Sequence, residues 1–391
     1  MITVNEALDA LFALVEPLRS ETVPLTEAAG RTLARDVAAT RAQPPFSSSA
    51  MDGYAISGDA AVGDVLAVIG EAAAGHAFDG AVKPGQAVRI FTGAPVPEGG
   101  TRVLIQENVT RDGDVITVTE PHGDGTHIRP KGGDFDVGHT LPAPRRLGPS
   151  DVALLASMNC AEVPVVRRPS IALIATGDEL VMPGETPGPD QIIASNTFGL
   201  KAMFEAAGAQ VRMIPIAKDT DSSLGMALEL AKGADLIVTI GGASVGDHDI
   251  VGKVAADRGL ERAFYKIAMR PGKPLMAGRI VDSVLIGLPG NPVSSMVCGE
   301  IFIRPVLDKM LGFDAQPRPR HRAKLMKPLP ANGPREHYMR ARHDAIHQQI
   351  QAFEKQDSSL LMVLAHATAL IVRPPHDLAR AAGDTVEYVI L

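Results

Sequence analysis

The chain opens with a helical pattern. Thr3-Val4-Asn5-Glu6 has capping-box spacing, and Val4, Ala7, Leu8, Leu11, Phe12 and Val15 then recur on one helical face. A second helix is expected from Thr26 to Ala34, again behind a hydroxyl cap. Between Pro44 and Gly138 the texture changes: glycines punctuate short apolar runs such as Val65–Ile69, Ala87–Phe91 and Val115–Val118. That spacing predicts a β-rich module inserted into the chain. Residues 147–165 return to a helical pattern.

From Ile171 the pattern alternates between periods. Ile171–Gly177, Val211–Ala217, Asp235–Gly242 and Val284–Leu288 read as buried strands, several of them running into glycines. Asn196–Ala207, Ser222–Lys232 and Pro292–Lys309 read as helices, the last with proline in its first turn. Strands and helices alternating at this length indicate βαβ units on a parallel sheet. A Pro- and Arg-rich stretch, Gln316–Arg322, reads as a linker. Strand-like runs at Tyr338–Arg342, Ala345–Phe353, Ala367–Val372 and Val386–Leu391 follow, and they predict a small terminal β domain. The expected division is 1–43 with 138–167 as a linking helical and β segment, 44–137 as the inserted module, 168–313 as the α/β domain and 314–391 as the terminal domain.

Composition narrows the class. With 391 residues, 45% hydrophobic and 21% charged, the chain has the makings of several buried cores and is not a disordered protein. A formal charge of −7 argues against a sequence-wide basic surface, so no nucleic-acid partner is expected. Two cysteines, Cys160 and Cys298, cannot build a disulfide framework or a cysteine-rich zinc site, and they suit a reducing compartment. No basic segment followed by an apolar run opens the sequence, and no apolar stretch reaches the ~20 residues of a membrane helix. A cytoplasmic protein with no membrane partner is expected.

Candidate chemistry gathers at the strand ends, where parallel sheets bind ligands. Thr239-Ile-Gly-Gly-Ala-Ser-Val-Gly-Asp247 and Leu288-Pro-Gly-Asn-Pro-Val-Ser-Ser295 each lead from a strand into a helix with glycines and hydroxyls, a combination suited to anions. Lys266, Arg270 and Lys273 lie between these loops, and on a strand Lys266 and Arg270 would share a face. Asp178-Glu179, Asp219, Asp221, Asp247 and Asp249 sit near strand ends. Carboxylates there suit Mg²⁺, a hard cation, although Asp219, Asp221 and Asp247 also fit helix capping. Gly242-Ala-Ser-Val-Gly246 matches the nucleophile-elbow pattern. A serine hydrolase using Ser244, with Asp282 and His321 or His337 downstream, is therefore a rival reading, though no HGGG-type oxyanion segment lies upstream.

Taken in order, Pro44-Pro-Phe…Ser49-Ala-Met-Asp-Gly-Tyr-Ala55, Arg89-Ile-Phe-Thr-Gly-Ala-Pro-Val-Pro97, Ala175-Thr-Gly-Asp-Glu-Leu180, Gly241-Gly-Ala-Ser-Val-Gly-Asp247, Arg270-Pro-Gly-Lys-Pro274 and Leu288-Pro-Gly-Asn-Pro-Val-Ser294 resemble the MoeA family, related to the gephyrin C-terminal domain. The resemblance runs along essentially the whole chain. It implies a multidomain α/β and β fold: a molybdopterin-binding-type parallel α/β domain, an inserted β-rich module, a linking helical and β segment, and a C-terminal β-barrel. It implies a molybdopterin molybdenumtransferase that inserts molybdate into adenylylated molybdopterin, with Mg²⁺ as cofactor and AMP released. It also implies a homodimer, with a molybdopterin adenylyltransferase and molybdoenzyme maturation factors as partners.

Residue by residue, the resemblance assigns catalytic roles to Asp52, Thr92, Asp134, Glu179, Asp219, Asp249, Lys266 and Arg270, the first two supplied by the second subunit. Glu179, Asp219 and Asp249 would hold the metal. Gly241, Gly242, Ser244, Gly246, Lys273, Pro289, Gly290, Asn291, Pro292, Ser294, Arg340 and Ser358 would contact the substrate. The chain departs from the family's usual residues at Ser47-Ser48, Thr101, Ala243 and Arg270. At Arg270 a planar fork stands where lysine is frequent. A gephyrin-like scaffold and a molybdopterin adenylyltransferase are the alternatives that the same resemblance allows.

Overall fold

The structure, a computed structural model, describes residues 1–242 and 250–391. Two compact units are present: Met1–Glu21 with Val166–Leu391, and Thr22–Val165. Helix α1 (Val4–Leu14) forms as its pattern predicts. The Thr3 hydroxyl accepts from the Glu6 N–H and the Glu6 carboxylate accepts from the Thr3 N–H. Such caps are worth about 1 kcal/mol. The apolar face, Val4, Ala7, Leu8, Leu11 and Phe12, is buried.

In the unit Thr22–Val165, a six-stranded sheet carries β1 (Gly53–Ile56), β2 (Val65–Ala72), β3 (Gln86–Ile90), β4 (Arg102–Ile105), β5 (Val109–Asp112) and β6 (Val115–Val118) in the order β4-β1-β3-β2-β6-β5. All pairs are antiparallel except β2 with β3. The glycine-punctuated runs thus form strands. Gly53 is required by packing, because a Cβ there would stand 1.9 Å from the Leu104 carbonyl oxygen.

The helix expected over Thr26–Ala34 does not form. A single 3₁₀ turn, Leu25–Glu27, gives way at Gly30 (φ +73°), and Thr32–Leu33 instead make a strand pairing with Arg145–Arg146 and Val165. Leu33 is worth more in the core beside Leu155 and Val163 than on a short helix, so tertiary burial overrides local propensity. Likewise the helical pattern of 147–165 yields only α2 (Pro149–Ser157), followed by the strand Glu162–Val166.

The other unit is built on a second six-stranded sheet. Its elements are β7 (Ser170–Ala175), α3 (Asn196–Ala206), β8 (Gln210–Met213), α4 (Asp221–Ala231), β9 (Leu236–Ile240), α5 (Ile250–Ala256), β10 (Leu260–Tyr265), the short β11 (Met269–Arg270), β12 (Met276–Ile280) and β13 (Ser283–Leu288). Sheet order is β8-β7-β9-β13-β12-β10. The first four strands are parallel, and β12 and β10 continue the sheet antiparallel. Strand order reverses between β7 and β9, which makes their carboxyl ends a topological switch point.

Helix α6 (Pro292–Cys298) continues through a π turn, Gly299–Ile303, into α7 (Arg304–Met310). Beyond it, β14 (His321–Leu325), β15 (Glu336–Asp344), β16 (Gln349–Ala352), β17 (Ala369–Arg373) and β18 (Thr385–Ile390) close into a five-stranded barrel, with α8 (Leu361–Ala365) before β17. Closure comes from β15 pairing with both β16 and β17, and it removes the free sheet edges. Strand β11 adds to β15 in parallel, tying the α/β part to the barrel. Among the described residues no helix is long and apolar enough to cross a membrane.

Candidate functional site

A cavity of about 560 Å³ opens at the switch point. Its floor is made by the ends of β7 and β9: Thr176 and Gly177 follow one, Gly241 and Gly242 the other. The loop Pro289–Gly290–Asn291, leading into Pro292 of α6, supplies one wall, and the start of α3 at Ser195–Asn196 another. Glycine is needed at 241, where φ is +90° and a Cβ would lie 2.7 Å from the Thr176 carbonyl oxygen. The Asn196 side-chain amide donates to the Gly290 carbonyl at 2.7 Å, pinning the amino end of α3 to that loop. Free N–H groups and the positive end of the α3 dipole therefore meet the cavity, as an anion requires.

Two carboxylates line the same space, Glu179 and Asp219. Gly177 (φ +147°) lets Glu179 curl back, since a Cβ there would lie 2.3 Å from a Glu179 carboxylate oxygen. Helix capping does not explain Asp219: Thr220 caps α4, accepting from the Ser223 N–H, while Asp221 pairs with Lys253. Partial burial raises the Asp219 carboxyl above the ordinary carboxylate range, and repulsion from Asp178 and Glu179 adds to it. A hard cation would relieve that repulsion, so the donor chemistry fits Mg²⁺. Among the described residues, however, no three His, Cys, Asp or Glu side chains are grouped as a metal site. The third expected ligand, Asp249, lies outside the described residues, as do Ser244 and Gly246.

The basic residues are arranged differently from expectation. Lys266 is not on a strand with Arg270: it follows β10 in left-handed backbone (φ +71°), with its ammonium 4.9 Å from the centre of the Tyr265 ring. Arg270 instead belongs to β11 and sits in register beside His337 of β15, whose other neighbour in register is Arg373 of β17. Burial, and then Arg270, Arg340, Arg373 and Arg335, push the His337 imidazole down to about 4, so it is neutral at physiological pH.

Arg340 is fully buried. One of its nitrogens, Nη2, donates to the carbonyls of Lys355 (3.4 Å) and Asp357 (3.1 Å), while Nε and Nη1 have no partner among the described residues. Buried donors without acceptors are costly, and an oxyanion would satisfy them.

Neither Arg340 nor Lys266, Arg270, Lys273 or Ser358 lines the strand-end cavity, although Pro274 and Ser359, next to Lys273 and Ser358, do. Ser294 is buried in α6 and is also absent from the lining. Thr176, Asn196 and Ser359 line it without having been singled out; the strand end, the helix start and the neighbour of Ser358 were the available signals. Both cysteine thiols are pushed up by burial, which leaves no ready thiolate. Asp282 leads into β13, whose six residues span about 20 Å to the end carrying the cavity, while Ser244 lies outside the described residues.

In the other unit, Asp52 and Thr92 form a built pair. The Asp52 carboxylate accepts from the Thr92 N–H at 2.7 Å and from the Thr92 hydroxyl at 2.8 Å. These bonds, with a smaller contribution from Arg89, hold it below the usual carboxylate range. Arg89 donates to the Gly53 carbonyl and to Gln106, bracing the same loop. Asp134 is exposed, its N–H donating to the Gln43 carbonyl, and no bond joins it to Asp52 or Thr92.

Comparison with known proteins follows this order of parts. Residues 2–159 match the MoeA N-terminal region (domain I and II), 172–309 a probable molybdopterin binding domain, and 322–391 the MoeA C-terminal region (domain IV). A molybdopterin molybdenumtransferase of Nostoc is 34% identical over 99% of this chain and 93% of its own length. Molybdopterin molybdenumtransferase 2 of Mycobacterium tuberculosis is 35% identical over 99% of both. The crystal structure of the MoeA molybdopterin biosynthesis protein of Pyrococcus horikoshii superposes with a TM-score of 0.84 at 27% identity, covering all of both chains. With relatives matched end to end and the three family regions in sequence, the chain belongs to the MoeA family.

Proposed function

We propose that the protein is a molybdopterin molybdenumtransferase, which inserts molybdate into adenylylated molybdopterin and releases AMP in molybdenum cofactor biosynthesis. The observation that carries this reading is the switch-point cavity, where glycine turns and the α3 amino end stand opposite Glu179 and Asp219. An anionic phosphoanhydride suits such a lining, with backbone N–H groups on its oxygens. Mg²⁺, held by Glu179, Asp219 and Asp249, would neutralise the anhydride and polarise its bridge. Gly241, Gly242 and Asn291 position the phosphates.

Molybdate, a tetrahedral dianion and a substrate here, is drawn to the cationic group around Arg270 and Arg340, with Lys266 and Lys273 near Arg270 in sequence and Ser358 next to Asp357, whose carbonyl accepts from Arg340. The buried, unfilled donors of Arg340 support that assignment. With no ready thiolate in the described protein, soft ligation of molybdenum falls to the dithiolene of the pterin.

Asp52 and Thr92 act from the second subunit of a homodimer, their mutual hydrogen bonds fixing the carboxylate before substrate arrives. A cytoplasmic location accords with this chemistry. The test is to incubate the purified protein with adenylylated molybdopterin, Mg²⁺ and molybdate. AMP release that depends on molybdate is expected; its absence would remove the transferase reading, and labelling of Ser244 by a fluorophosphonate would favour the hydrolase.

A further inference from the structure

Strand β15 loses one neighbour partway along. Its ladder to β16 runs from Asp344 back to Ala341 and ends there, while the pairing with β17 carries on through Arg340 to His337. Past Ala341 the vacated side is taken by the segment that follows β16. The Phe353 N–H donates to the Arg340 carbonyl at 3.0 Å. The half-buried Gln356 side chain then stands in for a peptide group of the missing strand. Its amide oxygen accepts from the Arg340 N–H at 3.0 Å, and its nitrogen donates to the Arg340 carbonyl at 2.9 Å and to the Phe353 carbonyl at 2.8 Å.

The residues on either side of Gln356 reach the other end of the same arginine. Lys355 and Asp357 supply the two carbonyls that accept from Nη2. Three consecutive residues thus hold Arg340 at backbone and guanidinium together, and its Nε and Nη1 stay buried without a partner among the described residues. Beyond Gln356 the segment turns toward the strand-end cavity: the Ser358 carbonyl accepts from the Val293 N–H of α6 at 3.0 Å, and Ser359 lines the cavity. An arginine side chain is long and costly to order, so one fixed before the ligand arrives binds it better.

Resting on the proposed assignment of Arg340 to molybdate, we propose that Gln356 is a positioning residue for the oxyanion. It anchors the segment whose carbonyls take up Nη2, and so keeps the unfilled donors of Arg340 in one place. All three of its hydrogen bonds go to backbone groups, so Gln356 acts on the oxyanion through Arg340 alone.

The experiment uses the whole protein and sodium molybdate, titrated by calorimetry. Gln356→Met keeps the length of the side chain and removes every hydrogen bond. Gln356→Asn keeps the amide but is one carbon too short to reach. Each should weaken molybdate binding about tenfold and raise the molybdate KM of AMP release by the same factor. The KM for adenylylated molybdopterin, the kcat at saturating molybdate and a single cooperative unfolding transition should be kept. A merely structural role would raise both KM values together. That result would overturn the assignment, as would molybdate binding that is absent in the parent protein, molybdate binding unaltered in both variants, or loss of the fold in both. The two readings fail separately. Molybdate-dependent AMP release with unaltered molybdate affinity in both variants removes only the role of Gln356. The expected titrations without AMP release remove only the reaction.

Discussion

His337 offers a quantitative check on the barrel's electrostatics. It lies in β15, with Arg270 beside it in β11 and Arg373 in β17, and adjacent strands lie only about 4.8 Å apart. Burial and this arginine company lower its pKa from 6.5 to about 4. In the unfolded chain the imidazole takes up a proton near 6.5, whereas in the folded chain it does so only near 4. The folded state therefore binds fewer protons across that window. Stability is complete above pH 6.5 and falls as the pH drops toward 4. At about 1.4 kcal/mol per pH unit the full loss is about 3 kcal/mol, and by pH 4.5 about 2.5 kcal/mol of it has gone.

His337→Gln removes the titration while keeping a polar side chain. Hydrogen exchange of peptides from β15 and β17, compared between parent and variant at pH 7.5 and at pH 4.5, reads the opening free energy of the barrel directly. The parent should lose about 2.5 kcal/mol more than the variant between the two pH values. Carboxylates held low elsewhere, such as Asp151 and Asp377, weaken both proteins alike on acidification and cancel in the difference. Equal losses would show that the arginines around His337 do not keep it neutral.

Other substitutions probe separate parts. Asp219→Asn removes repulsion from Asp178 and Glu179, so the melting temperature should hold or rise, while the Mg²⁺ concentration for half-maximal AMP release climbs about tenfold or more; a fall in stability with unchanged Mg²⁺ dependence would contradict its role. Asp377→Ala leaves the buried Arg373 guanidinium without the carboxylate that pairs with both Arg373 and Arg380, and should cost about 3–5 kcal/mol in urea unfolding. Mixing Asp52→Ala with Asp219→Asn protein should restore AMP release through mixed dimers if the cleft draws on two subunits, and no recovery would place the whole site in one chain.

The periodicities of the chain were sufficient for the elements whose local and tertiary interests agree. The α1 face with its Thr3–Glu6 cap, the buried strand Ser170–Ala175 and the glycine turns after β9 are all readable residue by residue, because each side chain's fate there is fixed by its own neighbours in sequence. The motifs also placed Glu179, Asp219 and the Pro289–Pro292 loop at strand ends, and the structure collects them around one cavity.

What required the folded molecule is everything decided by partners distant in sequence. Thr32–Leu33 became a strand because Arg145–Arg146 and Val165 pair with it. Lys266 and Arg270 parted company because β11 adds to the barrel rather than extending β10. The lowered pKa of His337 arises where β11, β15 and β17 converge, the first of them scores of residues before the others, and Arg340 is buried by a loop that returns to it 15–17 residues later. Local propensity contributes tenths of a kcal/mol per residue, while burial and charge contacts between such segments contribute several times as much, and no spacing along a single stretch of chain records them.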